Sequence, residues 1–169
     1  MSKILTFLLL SISFSCFSQS KTEYYENGKI KSVGSYLNDL KNGEWMYYNN
    51  LGILEEKCQY TNGLRNGKCS KYLSTGEIKL ACTYVNDKKH GEQLGFHKNG
   101  RISAKGEFIN GEKNGTWIFF NEDGSLGAIE PFIMGKLHGE CLYYDDKGNF
   151  KYKNIYDNGK VLQWEVKNN

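Results

Sequence analysis

An all-β fold, an elongated twisted antiparallel sheet of tandem hairpins, is what this sequence predicts, and three observations carry it. Residues recur every 24 positions in fixed columns without an insertion. Short strand-like runs alternate with turns rich in Asn, Asp and Gly. One proline, Pro131, is present in the whole chain, and no window holds a capped 3.6-residue period, so ladders can run nearly unbroken and helices are not expected.

The first eighteen residues stand apart. Lys3 supplies a positive charge, Ile4 to Phe14 is an apolar run, and Cys16 and Ser18 offer the small residues of a cleavage site, so residues 1–18 read as a secretory signal. The run is too short for a span of roughly 20 helical residues. The rival, a lipid anchor on Cys16, is disfavoured by Ser13 where such a signal wants a Leu-like residue. Loss of the signal removes Lys3 and no acid, taking the net charge from +3 to +2. So small a charge gives no steering toward polyanions, and nucleic acid is not an expected partner.

Residues 19–169 form the repeat domain, with units of about 24–47, 48–71, 72–95, 96–119, 120–143 and 144–169. Gly28 returns as Gly52, Gly76, Gly100, Gly124 and Gly148, and Gly43 as Gly67, Gly91, Gly115 and Gly139. The aromatic column Tyr36, Tyr60, Tyr84, Phe108, Phe132, Tyr156 keeps the same step, as does Tyr24, Tyr48, Tyr72, Phe96, Phe120, Tyr144. A fixed period of this length signals units that bury their apolar surface only by stacking. In the second unit Leu54 to Tyr60 is one strand, TNGLRN the turn and Gly67 to Tyr72 the next strand, so five full hairpins with a partial unit at each end are expected.

A symmetric six-residue turn pairs residue 60 with 67 and residue 58 with 69. Each ring of the Tyr36 column then faces a glycine of the Gly43 column within its own hairpin, a way of covering bare backbone. The same register sets Trp45 against Gly34, Trp117 against Gly106 and Cys69 against Cys58, large against small twice and cysteine against cysteine between them. The degenerate last unit, which carries Trp164 where glutamate or lysine usually stands, reads as a cap.

The segment GKLHGECLYY, Gly135 to Tyr144, resembles a MORN repeat, and Asn42-Gly43-Glu44-Trp45 and Lys89-His90-Gly91-Glu92 are looser copies. The resemblance spans about residues 24–160. It implies stacked β-hairpin units in an extended sheet, and a scaffold that binds proteins or sits against membrane lipids. An antitoxin label on some bacterial variants implies, as the alternative, a protein that neutralises a partner.

No residue set points to catalysis, to a cofactor or to a metal, and the chain is expected not to be an enzyme. His90 and His138 obey the repeat, falling in the column of Asn42, Asn66 and Asn114, where a turn residue explains them. His97 reads as a solvated loop side chain. Glu44, Glu92 and Glu140 share one strand column, and Asp145 and Asp146 lie in a turn. An acid pair in a cleft, which a wall-acting hydrolase or glycan-processing protein needs, is not evident.

After the signal four cysteines remain, Cys58, Cys69, Cys82 and Cys141. Cys58 with Cys69 is the candidate disulfide, since opposed antiparallel residues lie about 4.5 to 5.5 Å apart. Cys69 with Cys82 is the alternative if the next turn brings them together, and exchanging Cys58 for Ser is expected to restore both thiols. Cys58 and Cys82 are two strands apart, roughly 9.6 Å, and should not bond.

The expected function is that of an exported, non-enzymatic scaffold for an unknown protein partner or an envelope surface. Trp45, Tyr47, Trp117 and Phe119 are the candidate binding face, taken as exposed aromatic anchors. The bland reading of the aromatic columns is mutual packing that holds a thin sheet together.

Overall fold

The computed structural model describes residues 18–166, so the signal and Cys16 lie outside the described residues, apart from Ser18. Fourteen strands make up the described chain, and no helix occurs among them. They are β1 (Gln19–Tyr24), β2 (Ile30–Leu37), β3 (Leu40–Tyr48), β4 (Leu54–Thr61), β5 (Leu64–Tyr72), β6 (Ile78–Val85) and β7 (Lys88–Phe96). Then follow β8 (Ile102–Ile109), β9 (Glu112–Phe120), β10 (Leu126–Ile133), β11 (Lys136–Leu137), β12 (Gly139–Tyr144), β13 (Phe150–Asp157) and β14 (Lys160–Val166).

All belong to one open antiparallel sheet, in chain order and without a crossover. At about 4.8 Å per strand it runs roughly 55 to 60 Å from β1 to β14. The hairpins number six, after a single leading strand: the last unit, expected to be partial, completes its own as β13 and β14. In the fifth, Pro131 has no N–H to give, and the strand opposite is split into β11 and β12, although the His138 N–H still donates to the Pro131 carbonyl at 3.0 Å.

Hairpin turns are two residues long rather than six. Asn38-Asp39, Asn62-Gly63, Asn86-Asp87, Asn110-Gly111, Met134-Gly135 and Asn158-Gly159 all have positive φ at both positions, the mirror-image turn whose twist suits a right-twisted hairpin. The second strand therefore begins earlier than expected and carries a bulge later. In the second unit Tyr60 pairs with Arg65 and Cys58 with Cys69, so two extra residues, Gly67 and Lys68, are absorbed between those pairs. Positive φ at Gly43, Gly67, Gly91, Gly115 and Gly139 explains why that column is glycine.

This bulge corrects the expected partner of the aromatic column. Tyr60 lies opposite Gly43, Tyr84 opposite Gly67, Phe108 opposite Gly91, Phe132 opposite Gly115 and Tyr156 opposite Gly139. The glycine opposite each ring therefore belongs to the preceding unit, not to its own.

A single-layer sheet has no second layer to bury a core against, and here the core is a row crossing the strands on one face. Trp45 pairs with Cys58, Cys58 with Cys69, Cys69 with Cys82, and Trp117 with Glu130. Trp45, Cys58, Cys69, Trp117 and Cys141 are at most 3% exposed. In the last unit Gln163 stands where the bulge glycine would be. The bulge shortens to one residue and Trp164 enters the row opposite Asn154, 71% exposed on the last strand of the described residues.

Candidate binding face

Alternation along each strand puts the row residues on the same face as the Tyr36 column and the cations Lys41, Arg65, Lys89 and Lys113, which the mirror-image turns place in strands rather than in loops. Each cation is directly opposite the aromatic of its own hairpin: Lys41 opposite Tyr36, Arg65 opposite Tyr60, Lys89 opposite Tyr84 and Lys113 opposite Phe108. Its charged end leans diagonally over the ring of the next unit. Lys41 lies 5.4 Å from the Tyr60 centroid, Arg65 4.2 Å from Tyr84, Lys89 4.7 Å from Phe108 and Lys113 4.5 Å from Phe132. Lys21 begins the series over Tyr36 at 5.3 Å. The result is a cation–aromatic ladder with one rung per repeat, roughly 9.6 Å apart.

Trp45 and Trp117 sit under this ladder, and their expected exposure is corrected: they are 0% and 1% exposed. Each indole lies on a glycine of the neighbouring strand, Gly34 or Gly106, where a Cβ would fall inside the ring. The Trp45 Nε1–H donates to the Ser35 carbonyl and the Trp117 Nε1–H to the Glu107 carbonyl, both at 3.1 Å, so the buried polar edge is satisfied. Tyr47 and Phe119, the other two expected anchors, are half-buried and stack on these indoles at 6.1 and 6.2 Å. The structure thus assembles the four as two stacked pairs, with Tyr36, Tyr60, Phe108 and Phe132 edge-on around them.

The polar atoms above the rings are linked. Lys41 Nζ donates to the Tyr47 hydroxyl at 2.8 Å, and that hydroxyl to Tyr60 at 3.0 Å. Burial pushes the phenols of Tyr47 and Tyr60 up, and at the far end pushes Tyr143 up, beside Glu130. Burial pulls the Lys113 ammonium below the usual lysine range.

The cation column was missed in the sequence although Lys41, Arg65, Lys89 and Lys113 are each 24 apart. Its signal was there, but a six-residue turn puts those positions in a loop.

The other face is more polar. Lys57 pairs with Glu44 at 2.8 Å and Lys153 with Glu140 at 3.2 Å, which accounts for two of the three acids in that column. Glu92, the third, is directly opposite Glu107 beside an open depression of about 350 Å³ shared with Lys105 and Thr116. Asp145 takes the backbone N–H groups of Lys147 and Asn149, a turn role. His138 Nδ1 is 3.2 Å from Asp157. His97 differs from its expectation: half-buried, its Nε2 meets the Phe120 carbonyl at 2.8 Å and ties one inter-strand turn to the next repeat. Among the described residues no group of three or more His, Cys, Asp or Glu is placed to hold a metal ion.

Cys58 and Cys69 are joined as a disulfide, with Cα atoms 4.1 Å apart. Cys82 and Cys141 carry buried free thiols, both pushed up by burial.

Residues 21–38 and 89–110 match the MORN repeat variant family, in agreement with the resemblance carried by residues 135–144. No curated protein matches the chain. Among solved structures, a chain from the crystal structure of a GtfA/B complex bound to UDP and GlcNAc is 12% identical, with a TM-score of 0.26. That match takes in 80% of this chain and 23% of the other, so the present chain spans under a quarter of that protein's length, and at such a score the likeness bears on neither fold nor function.

Proposed function

We propose that this MORN-repeat chain is an exported, non-enzymatic scaffold that holds a partner protein along its cation–aromatic face. One observation carries the reading: a charged rung returns in each of five successive repeats on one side of a continuous sheet. Cations over aromatic rings, half-buried from Lys41 to Lys113 and exposed at Lys21, suit acidic side chains presented at the same spacing, with the rings supplying apolar contact at little cost in side-chain order. The near-neutral overall charge favours local complementarity over long-range steering.

The test is site-specific photo-crosslinking in the native cell, with the probe placed at Lys41 or Lys89 on the ladder and at Lys105 on the other face. The expected result is one discrete adduct from the ladder positions and none from Lys105, in an envelope or external fraction. Adducts from Lys105 alone, or from the cytoplasm alone, would overturn it, the latter in favour of an antitoxin-like role.

A further inference from the structure

Three sulfurs stand in one row across three adjacent strands. The register sets Cys58 of β4 opposite Cys69 of β5, and Cys69 opposite Cys82 of β6. A disulfide joins the first two, and Cys82 is a free thiol packed in the same buried cluster with Tyr84, Tyr60 and Leu80. Opposed antiparallel residues lie about 4.5 to 5.5 Å apart, within disulfide reach, so Cys69 can bond on either side. Cys58 and Cys82, two strands apart at roughly 9.6 Å, cannot bond each other.

We infer that Cys58, Cys69 and Cys82 form a thiol–disulfide exchange site in which Cys69 is always bonded and the disulfide occupies either of two positions. The Cys82 thiolate attacks Cys69 Sγ. The Cys69–Cys82 bond forms as the Cys58–Cys69 bond breaks, and Cys58 departs as a thiolate that takes up a proton equal to the one Cys82 released. One thiol and one disulfide exist before and after, and no oxidant is consumed. Burial holds Cys82 toward the thiol, while the Lys89 charge and a hydrogen bond with Tyr84 act the other way, toward the attacking form.

The exchange moves a staple. Between Cys58 and Cys69 it closes the β4–β5 hairpin within one repeat; between Cys69 and Cys82 it locks that repeat to the next. Cys141, opposite Asn154 and bordered by Glu130, faces no cysteine among the described residues and serves as an internal control.

Trypsin cuts after Lys57, Arg65, Lys68, Lys71 and Lys79, so each of the three cysteines falls on its own peptide. The oxidised protein comprising residues 19–169, without Cys16, is acid-quenched, alkylated in denaturant under acid, digested without reduction and mapped by mass. Both disulfides are expected, the minor one in at least about one molecule in ten, which corresponds to no more than about 1.4 kcal/mol between isomers. Alkylation should then fall on Cys82 in one population and Cys58 in the other, on Cys141 in all and on Cys69 in none. A single Cys58–Cys69 bond, with Cys58 never alkylated, would overturn the site. Two variants refolded with oxidised glutathione, checked for native circular dichroism, bear on it separately. Cys58→Ser should still lose two thiols, now as Cys69–Cys82, contrary to what the sequence alone suggests. Cys69→Ser should form no bond between Cys58 and Cys82; such a bond, or free Cys69 and Cys82 in folded Cys58→Ser, would equally refute it.

Discussion

Gly34 is the position where the smallest perturbation should do the most damage. A methyl group added there falls inside the Trp45 indole, and the indole has little room to yield. Tyr36 meets it edge-on at 5.1 Å, Tyr47 stacks on it at 6.1 Å, Lys41 covers it at 4.4 Å, and its Nε1–H is bonded to the Ser35 carbonyl. Moving the ring loses a hydrogen bond of about 1 kcal/mol, ring contacts of about 0.5 to 1.5 kcal/mol each and a cation–π contact of about 0.5 to 1 kcal/mol. Gly34→Ala is therefore expected to cost about 3 kcal/mol, near the upper end for overpacking. Trp45→Ala alone should cost about 3 to 5 kcal/mol by truncation. In the double variant the methyl finds the space the indole left, so the cost should not exceed that of Trp45→Ala, giving a coupling of about 3 kcal/mol in a double-mutant cycle. Urea unfolding followed by far-ultraviolet circular dichroism measures all three without relying on the tryptophan removed. A Gly34→Ala loss under about 0.5 kcal/mol, the range of an ordinary surface change, or a coupling near zero would refute the packing argument.

Other expectations follow from the same face and its turns. The raised Tyr47, Tyr60 and Tyr143 bind their protons more tightly in the folded chain, so their contribution is complete below about pH 10, where unfolded tyrosine ionises, and is lost as pH rises beyond it. An alkaline melt should show that loss, and Tyr60→Phe should reduce it; an unchanged alkaline profile in that variant would count against burial as the cause. Asp87 is held low by hydrogen bonds from Arg65, so its stabilisation is present above about pH 4 and lost as pH falls through the folded value. At this exposed pair Asp87→Asn should cost under about 1 kcal/mol at neutral pH and progressively less as pH falls below about 4, read as a melting difference across that range. Tyr84, 8% exposed and covered by Arg65, should lower the melting temperature on change to Ala by more than Tyr24, which is 61% exposed. Equal shifts would contradict the packing role assigned to its column.

The period, the strands and the large-against-small compensation were legible because they are written as columns, and columns survive without knowing the turn. Register was legible only on the far side of the bulge. Cys58 opposite Cys69 is the pairing both of a symmetric six-residue turn and of a two-residue turn followed by a two-residue bulge, whereas Tyr60 moves from residue 67 to residue 65 once Asn62-Gly63 is recognised as the whole turn. The positive-φ glycines at 43 and 67 look in sequence like the first residues of regular strands, although the backbone uses them to absorb two residues. Burial of Trp45 was not legible for a different reason. Period-2 alternation says which residues share a face, but in a one-layer sheet nothing in the alternation says which of them neighbouring long side chains will roof over.

The core row also explains why the sulfur chemistry sits where it does. Each hairpin must fill one place between its two strands, and the units fill it differently: an indole over glycine at Trp45 and Trp117, paired sulfurs at Cys58 and Cys69, and a thiol beside Gln93 at Cys82. An indole reaches across to the neighbouring strand and leaves no room there for a second reactive group. Small side chains reach only their direct partners, so three in succession make a chain of contacts that ends at Gln93 on one side and at Trp45 on the other. The Trp45 unit therefore bounds the exchange site as well as packing its own hairpin. Gln93→Cys would extend the row by one strand, and a disulfide from Cys82 to the thiol introduced there would show that the row's spacing, rather than any special feature of Cys69, governs where the disulfide can move. Peptide mapping of that variant in which Cys82 never bonds across to β7 would instead make Cys69 the determinant.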